Sequence, residues 1–281
     1  MPTNIHTFAV KKRRGEKIVV ITAYDALTAA MVHAAGVDAI LVGDSAAMVF
    51  AGHDSTLPIT MDEMLYHTRA VTRGAKGAFV IADMPFLSYQ ASRDEGVTNA
   101  GRFLKEAGAH AVKLEGAADV DLVARLVRSG IPVMGHLGLL PQSVHELGGF
   151  KAQGKTPKSA ALILEQALAL DAAGCFSIVL ECVPSEVARQ VSASVRAATI
   201  GIGAGAACDG QVQVVNDTLG LATNYFPRHA KRYADFYERG LAAVRAYVDD
   251  VRNVKFPGPE HEVSAGHPVP PSIPAPDAAN R

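Results

Sequence analysis

The stretch AVKLEGAADVDLVARLVRSGIPVMGHLG (111–138) shows most clearly how the chain is built. It contains two apolar runs, 111–116 and 132–138, and between them a segment of helical spacing over 119–129. Gly130 follows the last periodic residue, where a glycine commonly ends a helix. An apolar run, a helical segment and a second apolar run are typical of two parallel strands joined by a helix. The stretch therefore predicts one strand–helix–strand unit of a parallel sheet.

The same unit recurs along the whole chain. Strands are predicted at 18–24, 39–44, 78–84, 111–116, 132–138, 177–182, 198–204 and, more weakly, 218–223. Helices are predicted at 26–35, 61–73, 93–107, 119–129, 158–173 and 185–193. Most strand runs lack apolar–polar alternation, as expected of parallel strands that are covered on both faces. Eight such units predict a single (β/α)₈ TIM barrel, which takes about 250 residues; a doubly wound open sheet has the same periodicity and stays an alternative.

The C-terminal end of the chain differs in composition. Seven of the fifteen prolines fall between Pro257 and Pro276. Such a segment buries too little apolar surface to offset the entropy lost on ordering. We predict a catalytic barrel over 1–255, closed by a helical pair at about 228–251, and a mobile Pro-rich tail over 256–281.

Charge and cysteine content narrow the class of protein. The net charge is −1 and the pI about 6.8, so neither a nucleic acid nor an anionic membrane is an expected partner. The basic run KKRR (11–14) is interpreted as a solvated surface turn. Three cysteines without metal-ligand spacing indicate a reducing compartment. Without a secretory signal or an 18-residue apolar run, a cytoplasmic protein is expected.

Ionisable residues lie at the ends of five consecutive predicted strands. In chain order they are Asp44 with Ser45, Asp83, Lys113 with Glu115, His136 and Glu181. In a barrel the carboxyl ends of all strands meet at one face, where the active site is built. Charged side chains are seldom buried unless they are paired. The pattern therefore predicts an active site at that face.

The residue types suggest the chemistry. Asp44, Asp83 and Glu115 offer carboxylate oxygens, which a hard cation such as Mg²⁺ prefers. With Lys113 beside it, such a cation suits a small acid that carries an adjacent carbonyl. Glu181, on the far side of the mouth, is a candidate general base for a C–H bond, or else part of a structural salt bridge.

His136 has two open interpretations. It either orients the substrate or the base, or it is a buried histidine held by hydrogen bonds.

Two glycine-containing motifs invite a nucleotide-binding interpretation. GFKAQGKT (149–156) satisfies the phosphate-loop pattern, but no strand run feeds it and Pro157 disfavours a helical Thr156. We interpret it as part of a loop after the fifth strand that covers the site. IGIGAG (200–205) lacks the G-x-G-x-x-G spacing and is predicted to be the seventh strand turning into a loop, where a substrate phosphate stays possible.

A series of motifs resembles the ketopantoate hydroxymethyltransferase family. They are VGDS (42–45), GHDSTLPIT (52–60), ADMPF (82–86), VKLEG (112–116), GHLGLLPQ (135–142), LECVP (180–184) and IGIGAG (200–205). The match runs in order from ITAYD (21–25) to FPGPEH (256–261) and so covers nearly the whole folded chain.

The resemblance implies a Mg²⁺-dependent TIM barrel of the phosphoenolpyruvate-binding superfamily that acts in pantothenate synthesis. Its reaction transfers a hydroxymethyl group from 5,10-methylenetetrahydrofolate to 3-methyl-2-oxobutanoate and gives 2-dehydropantoate, usually in a homodecamer of two pentameric rings. By motif, Asp44 and Asp83 would bind the metal, with Glu115 as a further or water-mediated ligand. Asp44, Ser45, Asp83 and Lys113 would contact the oxo acid. Glu181 would accept the C3 proton.

Two rival functions stay open at this point. One is a lyase or mutase of the same superfamily, although the lid motif K-[KR]-C-G-H that is typical of those enzymes is absent from this sequence. The other is a phosphate-loop nucleotide switch built on residues 149–156.

Overall fold

Eight parallel strands close into a barrel in the computed structural model, which describes residues 3–146, 148–222 and 226–263. The strands are β1 (Ile18–Thr22), β2 (Ala39–Val42), β3 (Val80–Asp83), β4 (Ala111–Glu115), β5 (Val133–Gly138), β6 (Ser177–Glu181), β7 (Ala198–Ile202) and β8 (Gly210–Gln213). Each strand pairs with the next in sequence, and β1 pairs with β8 from Ile18↔Gly210 to Ile21↔Gln213. Since the first strand pairs with the last, the predicted TIM barrel is confirmed and the open sheet is wrong.

Helices alternate with the strands. They are α1 (Ile5–Arg14), α2 (Ala26–Ala34), α3 (Ala46–Val49), α4 (Met61–Gly74), α5 (Arg93–Ala107), α6 (Val120–Arg128), α7 (Pro157–Ala173), α8 (Ser185–Ser194), α9 (Val215–Leu219) and α10 (Phe236–Arg252). Side chains of Asp25, Thr60 and Ser92 accept hydrogen bonds from the first turns of α2, α4 and α5, which satisfies amide groups that lack a helical partner. The sequence-based helix boundaries agree with the structure to within one residue between α2 and α8, apart from the short α3, which was not predicted.

Gly74, the last residue of α4, lies where two helices approach closely. A Cβ atom at Gly74 would lie 2.1 Å from the carbonyl oxygen of Ala26. The glycine therefore allows α4 to pack closely against the start of α2.

The eighth strand was placed wrongly from the sequence. The predicted strand at 218–223 overlaps α9, and β8 lies at Gly210–Gln213. This strand is only four residues long and its sequence, GQVQ, is mostly polar, so no apolar run marks it. Its pairing with β1 and β7 on either side supplies the stability that its side chains do not.

The two ends of the chain also differ from expectation. The run 11–14 is the last turn of α1 and not a surface turn, and Lys11 and Lys12 form ion pairs with Asp38 and Asp209. Instead of a helical pair at 228–251, the described part of the chain has the single helix α10. Most of the predicted tail, residues 264–281, lies outside the described residues. The proposed boundary at 255 stays a prediction.

The chain divides into two compact units, one up to Ala234 and one from Asp235 onward. The first holds the barrel, and the second holds α10 and a short 3₁₀-helix at Pro259–His261. Within the second unit, the Phe256 ring lies 5.6 Å from that of Tyr247. None of the helices in the described ranges has the length and apolarity to cross a bilayer.

The barrel is closed at its N-terminal end by α1. Phe8 is fully buried, and its ring lies 5.9 Å from that of Phe79 and 5.2 Å from that of Phe176. Phe79 and Phe176 directly precede β3 and β6, so the three rings fill the N-terminal end of the barrel. The ionisable residues lie at the opposite end.

Phe8→Ala is expected to lower the free energy of unfolding by about 3–5 kcal/mol, since it removes a buried aromatic ring and leaves a cavity. Denaturant unfolding followed by circular dichroism measures this change. Leu27→Ala, at a side chain that is 85% exposed, is the control and should change stability by about 0.5 kcal/mol or less. Equal effects of the two substitutions would contradict the assigned role of α1.

Candidate active site

A cavity of about 930 Å³ opens at the C-terminal ends of the strands. All seven candidate residues from the sequence line it: Asp44, Ser45, Asp83, Lys113, Glu115, His136 and Glu181. The structure thus places them in a single site, as the barrel prediction requires.

Lys113 and Asp83 form a buried ion pair at the centre of this group. Their residues face each other in the β3–β4 ladder, and the Nζ–Oδ1 distance is 2.6 Å. Both side chains are about 5% exposed or less. Burial lowers the pKa of Lys113, but Asp83, Glu115 and Asp44 outweigh that effect and hold it above its ordinary value. The lysine is therefore charged.

Asp44 is less well compensated. Its backbone N–H donates to Oδ2 of Asp83 at 3.0 Å, which ties the end of β2 to β3. Burial, with the charges of Asp83 and Glu115, raises the pKa of Asp44 to about 8. When Asp44 is ionised, three buried carboxylates lie near one lysine, and the cluster carries an excess of negative charge.

Gln142 organises these carboxylates, and sequence reasoning did not single it out. It lies in a 3₁₀ turn (Pro141–Ser143) after β5 and is 5% exposed. Its side-chain amide donates to Oδ2 of Asp44 at 2.9 Å and to the carbonyl oxygen of Met84 at 3.0 Å. Its backbone N–H donates to Oε2 of Glu115 at 2.9 Å. One neutral residue therefore contacts two of the three carboxylates.

His136 lies between Glu115 and Glu181. Its Nδ1 is 3.4 Å from Glu115 and its Nε2 is 3.2 Å from Glu181, although neither contact has the geometry of a hydrogen bond. Burial and Lys113 lower the pKa of His136, but the two glutamates outweigh them and raise it to about 9. The imidazole is thus a cation between the acidic cluster and Glu181. His136 is thus placed where it can orient Glu181, and its role stays a prediction.

Glu181 is the most accessible of the candidate acids. It ends β6, and its side chain is 16% exposed, against 4% for Glu115. Cys182, which follows it, has a φ of 48°, a conformation uncommon outside glycine. The strand thus ends in a sharp turn, with the Glu181 carboxylate in the cavity wall.

Ser45 belongs to a second hydrogen-bonded group. Its hydroxyl lies 2.9 Å from that of Tyr24, and the carbonyl oxygen of Tyr24 lies 2.7 Å from Nδ1 of His67. Tyr24 is 3% exposed and follows β1, a strand for which the sequence suggested no site residue. Tyr24 and Gln142 lie in the motifs ITAYD and GHLGLLPQ. They were missed because a neutral side chain after a strand resembles any loop residue.

The chemistry of the donor set fits a divalent cation. With Asp44 ionised, the three carboxylates exceed the cations Lys113 and His136 by one charge, and Asp44 and Asp83 lie at the ends of adjacent strands in the cavity wall. No group of three or more acidic, His or Cys side chains is arranged to hold a metal ion within the described residues. Mg²⁺ is commonly held by one or two carboxylates, with water and substrate oxygens in the rest of its shell, and Asp44 and Asp83 fit that requirement.

The loop 149–156 does not have the context of a phosphate loop. β5 ends at Gly138, well before Gly149, so no strand leads into the loop. Thr156 is extended and caps α7 instead of lying inside it. Phe150 lines the cavity, and the N–H of Gln153 donates to the carbonyl oxygen of Cys182. The loop therefore adjoins the cavity, consistent with the predicted covering role.

A profile of the family described as ketopantoate hydroxymethyltransferase matches residues 2–259. The chain belongs to this family. It is 56% identical over 265 residues to the 3-methyl-2-oxobutanoate hydroxymethyltransferase of Pseudothermotoga lettingae, covering 94% of this chain and 99% of the relative. For the enzyme of that name from Enterococcus faecalis, the identity is 50%, with 91% and 93% covered. The chain is thus an enzyme, a hydroxymethyltransferase.

Solved structures support the fold of this hydroxymethyltransferase. A putative phosphonomutase from Burkholderia cenocepacia has a TM-score of 0.61 at 16% identity, covering 87% of this chain and 98% of that one. A 2,3-dimethylmalate lyase of the PEP mutase/isocitrate lyase superfamily has a TM-score of 0.55 at 18% identity, covering 94% and 93%. At such identities the likeness concerns the barrel alone. Because the chain belongs to the transferase family, the rival assignment as a lyase or mutase is wrong.

Asp44→Asn is expected to stabilise the metal-free protein by about 1–3 kcal/mol at pH 8, since it removes a poorly compensated buried charge. The raised pKa of Asp44 determines the direction in which stability changes with pH. Stability from protonated Asp44 is present below its ordinary value of 3.8 and is lost as the pH rises through about 8. The difference between variant and wild type should therefore grow from pH 4 to pH 8.

Thermal unfolding in a chelating buffer measures this difference. Asp62→Asn, at a side chain that is 84% exposed, is the matched control and should show little change. A wild type more stable than Asp44→Asn at pH 8 without metal would contradict the charge surplus.

Proposed function

We propose that this enzyme transfers a hydroxymethyl group from 5,10-methylenetetrahydrofolate to 3-methyl-2-oxobutanoate and forms 2-dehydropantoate for pantothenate synthesis. One observation carries the proposal beyond family membership: three buried carboxylates share one lysine at the wall of a cavity that also contains Glu181. A 2-oxo acid chelated by a cation fits that charge pattern. The names of the relatives support this choice of substrate.

Mg²⁺ is the proposed metal. Asp44 and Asp83 would hold it, with Glu115 as a further or water-mediated ligand. When bound, the cation would polarise the 2-oxo group of the substrate and so make the hydrogen on C3 more acidic. A phosphonopyruvate hydrolase of similar fold, with a TM-score of 0.57 at 12% identity over 92% of this chain and 93% of that one, was solved with oxalate and Mg²⁺.

The oxo acid would be oriented by groups around the ion pair. Lys113 carries the positive charge that the substrate carboxylate requires, and Asp83 holds its ammonium group in place. Ser45 offers a hydroxyl whose position is fixed by Tyr24. Held by charge on one side, the substrate presents C3 to the remaining part of the cavity.

Glu181 is the proposed base. Its side chain is 16% exposed and lies in the cavity wall, so a bound substrate can reach the carboxylate. It would take the proton from C3, and the electron pair left on C3 would be delocalised into the oxo group. His136, whose Nε2 lies 3.2 Å from the Glu181 carboxylate, would orient that carboxylate before the proton arrives.

Carbon–carbon bond formation completes the reaction. The bond from the methylene carbon to N10 would break with protonation of N10, which leaves an iminium ion at N5, and the nucleophilic C3 would attack that carbon. The bond from this carbon to N5 breaks, one water supplies the hydroxyl oxygen, and N5 leaves with a proton as tetrahydrofolate. The overall change consumes one water and needs no redox partner.

We also propose that the enzyme works in the cytoplasm as a homo-oligomer, a decamer by family resemblance. The neutral net charge supports small-molecule partners rather than nucleic acid or membrane. Sedimentation velocity on the purified protein would count the subunits.

Deuterium exchange at C3 of 3-methyl-2-oxobutanoate, followed by proton NMR in D₂O without folate, tests the proposal. We expect exchange that requires Mg²⁺ and falls at least about 100-fold in Glu181→Gln, because general-base removal typically costs that much. Glu186→Gln, at an exposed side chain on α8, is the control. Exchange that continues unchanged in Glu181→Gln would remove the residue from its proposed role.

A further inference from the structure

Half of the cavity wall takes no part in the acidic cluster. The clustered residues lie on β2 to β6, whereas β7, β8 and the segment after β8 contribute Ile202, Val212 and Val214 to the cavity. A cavity of about 930 Å³ is far larger than a five-carbon acid needs, since volumes of about 300–1,000 Å³ hold drug-sized ligands. This apolar side is available to a larger second ligand.

Two side chains that line the cavity have a buried polar atom without a hydrogen-bond partner among the described residues. Thr56 is 2% exposed and lines the cavity, and its hydroxyl makes no hydrogen bond to any described residue. The Oδ1 of Asn216, another lining residue, is also buried and accepts no hydrogen bond within the described ranges. Buried polar atoms are almost always paired, so two unpaired atoms in the lining of one cavity point to a ligand.

Asp217 adds a carboxylate to the same wall. It lies on α9 next to Asn216, lines the cavity and is 6% exposed. Burial raises its pKa, and the charges of His229 and Arg232 act in the opposite direction. A carboxylate in this setting is suited to a ligand that brings paired N–H donors.

We propose that Asp217, with Asn216 and Thr56, binds the 2-amino-4-oxopyrimidine edge of the folate substrate. The ring N3–H and the 2-amino group of a reduced pterin lie side by side and can donate together to one carboxylate. Thr56 and Asn216 supply acceptors for the remaining amino hydrogen, and the flat ring faces lie against Ile202 and Val212. This assignment rests on the proposed function, because it presumes a folate substrate.

The positions on the barrel fit this arrangement. Glu181 ends β6 and Asp217 follows β8, and the ends of strands two apart in a sheet lie about 10 Å from each other. A fused two-ring system can span most of that distance. With its pyrimidine edge at Asp217, the ring directs its N5 side toward Glu181 and toward C3 of the oxo acid.

The 2-amino group is tested first on the wild-type protein. Calorimetry compares tetrahydrofolate with its 2-desamino analogue, which keeps the ring but loses the donor. We expect the analogue to bind about 10- to 100-fold more weakly, as for loss of a hydrogen bond to a charged group. Equal binding of the two compounds would overturn the proposal without requiring a variant.

Asp217→Asn tests the residue itself. The substitution is expected to raise the KM for the folate about 10- to 100-fold and to abolish the preference for the 2-amino group. The defect should appear in folate affinity and not in the folate-free C3 exchange, which also reports an intact site. Asp62→Asn on the surface of α4 is the matched control.

The outcomes separate this inference from the proposed function. Retention of wild-type folate affinity and of the 2-amino preference in Asp217→Asn would overturn the pterin site and leave the transferase assignment intact. Absence of both C3 exchange and folate binding in the wild type would overturn the proposed function, and the pterin site with it.

Discussion

The buried pair of Lys113 and Asp83 is the interaction on which the active site depends. The two residues face each other across the β3–β4 ladder, so strand pairing keeps their backbones adjacent and the two charges within reach of each other. Removing one partner would leave an uncompensated charge in the interior, which costs several kcal/mol. The pair thus fixes a positive charge at the centre of the mouth, and the other acids are arranged around it.

The two ends of the barrel contribute differently to stability, because buried carboxylates gather at only one of them. Asp44 is buried near the carboxylates of Asp83 and Glu115, an arrangement that a site selected for stability alone would avoid. The opposite end of the barrel has no such conflict, since Phe8, Phe79 and Phe176 fill it with apolar contacts. The apolar packing at the N-terminal end therefore stabilises the same eight strands that carry the unfavourable charges at their C-terminal ends.

The sequence predicted most of the fold because apolar runs and helix-ending glycines mark nearly every unit. It failed at β8, whose GQVQ has no apolar run and owes its place to pairing on both sides. It also failed at α1, because a basic run was interpreted without regard to the single buried residue, Phe8, that anchors the helix. Both errors concern elements that are stabilised by distant partners rather than by their own pattern.

For the site, charged residues at strand ends were found from the sequence and uncharged ones were not. Gln142 is the clearest case, since its importance comes from two hydrogen bonds to Asp44 and Glu115 that no local pattern encodes. Gln142, which forms hydrogen bonds to these two acids, also begins the segment that leads to Phe150 in the cavity wall. Insertions between Gly138 and Gln142 would shift that amide and disturb the electrostatics of the whole mouth, whereas lengthening the segment beyond Ser143 would alter only its cover. The length of the loop after Ser143 can therefore vary during evolution, whereas the spacing between Gly138 and Gln142 cannot.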